Sequence, residues 1–249
     1  MVKLLLLAVV LLGGCNYAKL SHRDLEAAYP ASSAFGLPEV ASASCRVLSP
    51  SGSSGSGVCF QAGRSYALVI TANHVVDEGD EASISPENGT VHKALVVWRD
   101  AAEDLAVLRV PGRGVFGRAA SMAARDLGYR WDPVLVYGFP AGVKPNGHPT
   151  FGLVAAEDDV LELHEPTPNG TFNHTRTVIK WRITAPIFFG NSGGGVFVSE
   201  GGEWRLAGVA QLVAGSGFGG VATHVGWSSP VFRTRTAVEA GRRAGEDHK

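Results

Sequence analysis

From residue 44 onward the chain alternates short apolar runs with turn-forming residues. Segments 45–48, 58–61, 67–71, 93–98, 105–110, 134–137, 178–183, 195–198 and 205–213 are each of strand length and rich in β-branched residues. Gly, Pro, Asn or Asp bounds them. Helical signals are few: one turn over 74–78 and a closing helix over 231–244. Many short strands with few helices predict an all-β protein, a sandwich or barrels.

The N-terminus breaks that pattern and reads as an export signal. Lys3 supplies a positive charge and 4–12 is an unbroken apolar run, short of the roughly 20 residues that a membrane-spanning helix requires. The following Leu12-Gly13-Gly14-Cys15 resembles the lipobox of bacterial lipoproteins, in which the cysteine is lipidated and becomes the first residue. The resemblance implies an exported, cell-envelope lipoprotein held to the membrane by a lipid on Cys15. Ordinary signal cleavage after Ala18, giving a secreted soluble protein, is the alternative. Cys45 and Cys59 flank the Ser/Gly-rich stretch 49–57, which reads as a hairpin loop. An exported protein permits a disulfide between them, and two buried free thiols are the alternative.

The 32 glycines have no collagen-like period and strengthen the turn-rich reading. Formal net charge is -1 and lysines and arginines do not cluster, so no nucleic-acid footprint is visible. Arg233, Arg235, Arg242 and Arg243 are interleaved with acids and read as a solvated helix face. There is no His-Glu-x-x-His run and no close Cys/His spacing, so no metal site is expected.

Three segments carry chemistry: Thr71-Ala72-Asn73-His74 at a strand end, Glu103-Asp104 before a strand, and Gly190-Asn191-Ser192-Gly193-Gly194. A serine hydroxyl is a weak nucleophile and needs a base to take its proton. Histidine titrates near neutrality, and a carboxylate fixes its tautomer and stabilises the imidazolium. The glycines let the N–H groups of Gly190 and Ser192 face a developing oxyanion. Such a triad needs no cofactor. Residue order separates the serine-hydrolase folds. An α/β-hydrolase requires an acid and then a histidine after the serine, and after Ser192 the chain offers only tail residues or the crowded pair Glu203 and His224. The order His74, Asp104, Ser192 is that of chymotrypsin.

With those motifs the chain resembles the trypsin-like serine peptidases, closest to their bacterial Do/HtrA-like branch. Gly55-Ser56-Gly57-Val58, Asp100 with Asp104-Leu105-Ala106-Val107-Leu108, Tyr137-Gly138-Phe139-Pro140 and Ala185-Pro186-Ile187 add to the likeness over 44–230. The resemblance implies two six-stranded antiparallel β-barrels with a short C-terminal helix, and a serine endopeptidase acting on polypeptide substrates. Its division would be a signal over 1–15, a tether over 16–42, barrels over 43–112 and 131–230, a linker over 113–130, and a helix and tail over 231–249. Gln211, Leu212 and Val213 would form the edge strand that pairs with substrate. Pro186 would floor a specificity pocket without a buried acid. A histidine like His224 reads acidic or amide side chains in some relatives. A polar residue in a Gly-rich turn is the plainer reading. Asn191 stands where animal trypsins have an aspartate, so activation by an inserted N-terminus is not expected. Gly195 stands where the family usually has proline. The length leaves no room for the PDZ peptide-binding module of many relatives. A catalytically inactive barrel acting as a binding module and an esterase of another fold are the competing readings.

Overall fold

The computed structural model describes residues 36–76, 79–141, 146–166, 172–213 and 226–247. Its strands are β1 (Ser44–Leu48), β2 (Ser54–Ala62), β3 (Tyr66–Thr71), β4 (Glu81–Pro86), β5 (His92–Asp100) and β6 (Leu105–Pro111), then β7 (Pro133–Gly138), β8 (His148–Pro166), β9 (Phe172–Ile183), β10 (Gly195–Glu200), β11 (Glu203–Val213) and β12 (Gly226–Ser228). Each set of six closes into an antiparallel barrel, β1-β2-β3-β6-β5-β4 and β10-β11-β12-β9-β8-β7. Closure gives each described strand a neighbour on both sides. Alternation along the strands fills each interior. Val47, Val58, Leu68, Ile70 and Leu108 are fully buried in the first barrel, and Val134, Val136, Trp181, Ile183 and Val196 in the second. The two six-stranded barrels and the C-terminal helix agree with the architecture expected from the resemblance.

Two helices frame the barrels. Residues 37–42, expected within a tether, form the short helix α1 (Leu37–Ser42), started by Pro38 and packed through Val40. Helix α2 (Val231–Asp247) follows the second barrel but returns to the first. A Cβ at Gly241 would lie 2.7 Å from Val107, and one at Gly245 2.8 Å from Leu68. Ala237 and Val238 are buried beside them.

The Cys45–Cys59 bridge is not formed. Both thiols are free and buried. Cys45 faces Gly57 across the β1–β2 ladder, so Cys59 is its diagonal neighbour. Such Cα atoms lie about 7–8 Å apart, beyond the roughly 6.8 Å that a disulfide spans.

Candidate active site

β3 ends in a 3-10 turn, Asn73–Val75, that lifts His74 to the surface. Asp104 holds this residue twice. Its Oδ2 lies 2.9 Å from His74 Nδ1, and its Oδ1 accepts the His74 N–H at 2.9 Å. The His74 side chain is 45% exposed and that of Asp104 only 15%, so the bond is shielded on the acid side while the imidazole reaches solvent. Asp104 lies in the β5–β6 hairpin with a left-handed φ of 56°. Asp100 shapes that turn by accepting the N–H groups of Ala102 and Glu103 at 2.9 and 3.1 Å. An acceptor at Nδ1 favours the tautomer protonated there, which leaves Nε2 able to take a proton.

The serine comes from the other barrel, on the turn between β9 and β10. Gly190 and Gly193 have φ of 95° and 84°, values that glycine tolerates and L side chains resist. Ser56, fully buried on β2, seats this turn. Its N–H donates to Ser192 O at 2.7 Å, and its hydroxyl donates to Gly190 O at 2.6 Å while accepting the Phe139 N–H at 2.8 Å. The packing allows nothing larger. A Cβ on Gly193 would lie 2.2 Å from Thr71 Oγ1, and one on Gly55 would lie 2.8 Å from Ser192 O and 2.6 Å from Val75. The serine turn thus rests on the strand end that carries His74.

The peptide linking Phe189 to Gly190 has a fixed orientation. Phe189 O accepts the Ala141 N–H at 2.7 Å, and in a trans peptide the Gly190 N–H must then point the opposite way. Among the described residues neither Gly190 N–H nor Ser192 N–H is engaged, whereas those of Asn191, Gly193 and Gly194 bond to Phe188, Ala210 and Asn191 carbonyls. The serine's own N–H and that of Gly190 are thus the two unengaged backbone donors of this turn among the described residues.

Residues 55–209 match the family model of the trypsin-like peptidase domain. This chain belongs to that family. The trypsin-like peptidases are serine hydrolases of the peptide bond, and the relatives carry that description. The chain is 30% identical over 159 residues to the serine protease Do-like HtrA of Bacillus subtilis, covering 64% of this chain and 33% of that protein. It is 30% identical over 146 residues to the Do-like HtrB of the same organism, covering 59% and 30%. A Staphylococcus aureus serine protease HtrA-like protein is 28% identical over 156 residues, covering 62% and 19%. The chain therefore spans a third or less of the length of these relatives. A solved structure of an HtrA-type protease with a tripeptide superposes with a TM-score of 0.61 at 25% identity, covering 80% of this chain and 60% of that chain.

Within this trypsin-like peptidase domain the predicted residues fall as follows. His74 and Asp104 are bonded, and the Ser192 turn is seated beside them. Pro186 is half-buried six residues before the serine, and its carbonyl accepts the Thr150 hydroxyl at 2.7 Å. Gln211 lies on β11, and its side chain has a role that the sequence reading did not assign. It is the bulged residue where Ala210 pairs with Ser228 and Leu212 with Trp227, and it turns inward, 4% exposed, donating to the carbonyls of Glu103 and Asp104. The side chains of Leu212 and Val213 lie outside the described residues, as do Cys15 and His224. The β11 backbone bonds Gly194 through Ala210 and then pairs only with β12, which leaves its other side open beyond Ala210 among the described residues.

The sequence reading missed Lys180. Ile179, Trp181 and Ile183 form one apolar phase of β9 and Lys180 and Arg182 the polar one, a pattern that predicts an exposed lysine. Instead the Lys180 side chain is 2% exposed, because this strand meets the other barrel. Both amide atoms of Asn191 are also buried, without a hydrogen-bond partner among the described residues. No described residues form a group of three or more metal-ligating side chains, and no described helix is long and apolar enough to cross a membrane.

Proposed function

We propose that this chain is a serine endopeptidase with His74, Asp104 and Ser192 as its catalytic triad. The observation that carries this reading is the double grip of Asp104 on His74, at 2.9 Å to both ring and backbone, beside a serine turn locked by Ser56. Ser192 Oγ attacks the scissile carbonyl carbon as its proton passes to His74 Nε2. The carbonyl π electrons move onto oxygen, which faces the N–H groups of Gly190 and Ser192. His74 then returns the proton to the leaving amine, the C–N bond breaks, and an acyl-enzyme remains on Ser192. Water, deprotonated by the same imidazole, releases the acid product and restores the hydroxyl.

An extended peptide backbone would lie along the open side of β11 beyond Ala210. Phe189, 70% exposed next to the oxyanion donors, offers an apolar surface to a substrate side chain. With Pro186 at the pocket floor this favours small or medium apolar residues before the cleaved bond. Export, with lipidation of Cys15, would place the enzyme at the cell envelope.

The test is labelling of the folded protein by a fluorophosphonate. Wild type reacts at Ser192, Ser192→Ala does not, and His74→Ala falls by about 10⁴–10⁶ in peptide hydrolysis. A folded wild type that neither labels nor cleaves a peptide library would overturn the reading in favour of a binding module.

A further inference from the structure

We infer that Lys180 and Gln211, both in the second barrel, are positioning residues for Asp104, holding the triad acid from across the interface. The inference rests on the triad proposed above. The Lys180 ammonium donates to Gln211 Oε1 at 2.8 Å and to Glu103 O at 3.1 Å, and Glu103 Oε2 lies 3.9 Å away. A cation can only donate, so it fixes which end of the Gln211 amide faces it. The NH₂ end is thereby aimed at the opposite side, where it donates to Glu103 O at 2.7 Å and Asp104 O at 2.6 Å. Rotating the amide by half a turn would set its oxygen against two carbonyls and its NH₂ against an ammonium. The ammonium on one side and the two carbonyls on the other thus enforce the same orientation of the amide.

The two carbonyls belong to the turn that needs such support. Asp104 holds a left-handed φ of 56° without being glycine, and among the described residues of the first barrel its carbonyl accepts only from Asn73 N–H, at 3.2 Å. Its carboxylate, on the same residue, is the group that orients His74. Arg233 of α2 joins from behind, 3.2 Å from Glu103 Oε1, which leaves the Glu103 carboxylate shared between two cations and the ammonium directed at the carbonyls. Because both donors sit on β9 and β11, the acid reaches its working position only when the second barrel is docked.

The deciding experiment compares fluorophosphonate labelling rates and the far-downfield proton resonance of the His74–Asp104 bond in wild type, Gln211→Glu and the double variant K180M/Q211M. Gln211→Glu keeps length and pairs with Lys180, yet an ionised carboxylate cannot donate to the two carbonyls. The double variant removes both polar groups together and so leaves neither buried without a partner. Labelling is expected to slow by about 10–100-fold, the loss typical of a misplaced catalytic group. The downfield resonance should broaden or vanish while cooperative thermal unfolding is retained. Should Gln211→Glu fail to fold, the double variant carries both readouts. Wild-type labelling in a folded variant, or slowed labelling with an unchanged downfield resonance, overturns the inference. A wild type that does not label at all overturns the triad itself.

Discussion

Ser56 ties the serine turn, the segment after β7 and the end of β3 together with one hydroxyl and its own peptide groups, meeting Ser192, Gly190, Phe139 and Thr71 within 2.8 Å. Next to Ser192, Asn191 shows what happens without such partners: its amide is fully buried and unbonded among the described residues. The site holds a neutral polar group at some cost but has nothing to offset a charge. Asn191→Asp is therefore expected to destabilise the fold by about 2–4 kcal/mol at neutral pH. A buried, unpaired carboxyl stays protonated to higher pH than in the unfolded chain, so the deficit should grow as pH rises and shrink as it falls. Chemical denaturation at pH 5 and pH 8 checks this; an equal deficit at both rules it out. At this scale the His74–Asp104 pair of the proposed triad was legible because that chemistry demands given residue types in a given order. Lys180 and Gln211 were not, because strand alternation reports two faces and knows nothing of a second barrel pressed against one of them.

Among the strands, those with a strong apolar run were legible and three were not. β4, Glu-Ala-Ser-Ile-Ser-Pro, buries Ala82, Ile84 and Pro86 in alternation with polar residues, but holds only one large apolar residue. β8 carries Glu157, Asp158 and Asp159 where its register shifts. β12 spans only Gly226–Ser228 and exists because β9 and β11 flank it. Helix α2 was legible as a helix, but its docking partner was not, since nothing in its pattern names the first barrel. The close approach at Gly241 makes that docking testable. Gly241→Ala, whose Cβ would meet Val107 at 2.7 Å, should lose about 1–3 kcal/mol although alanine is the better helix former. Val107→Ala should lose stability through its cavity, and combining the two should recover part of both losses. Additive losses in the double-mutant cycle would show that helix and strand do not press on each other there.

Over the whole molecule, closure of both barrels seals polar and reactive groups from solvent. Burial pushes the Cys59 thiol up to about 12, and burial followed by the nearby Cys59 raises Cys45 well above the ordinary range. In the unfolded chain these thiols ionise near pH 8.5, whereas the native state keeps their protons. The unfolded state thus binds fewer protons above that point, and stability should fall as pH rises from about 8.5 toward 12. Urea unfolding at pH 8, 9 and 10 measures the slope. Replacing both cysteines by valine should flatten it, and an unchanged slope would assign the decline to other groups. Native protein should also resist thiol reagents until it unfolds.

In the proposed triad the apparatus is divided between the barrels, with base and acid contributed before residue 112 and nucleophile and its backbone donors after residue 185. During synthesis, a ribosome-bound chain that has finished its first barrel owns an imidazole and a carboxylate but no hydroxyl to activate. Nothing in the emerging polypeptide can cut its neighbours or itself until the last third has been made and docked. A hydrolase built on that triad would be born inert at that stage.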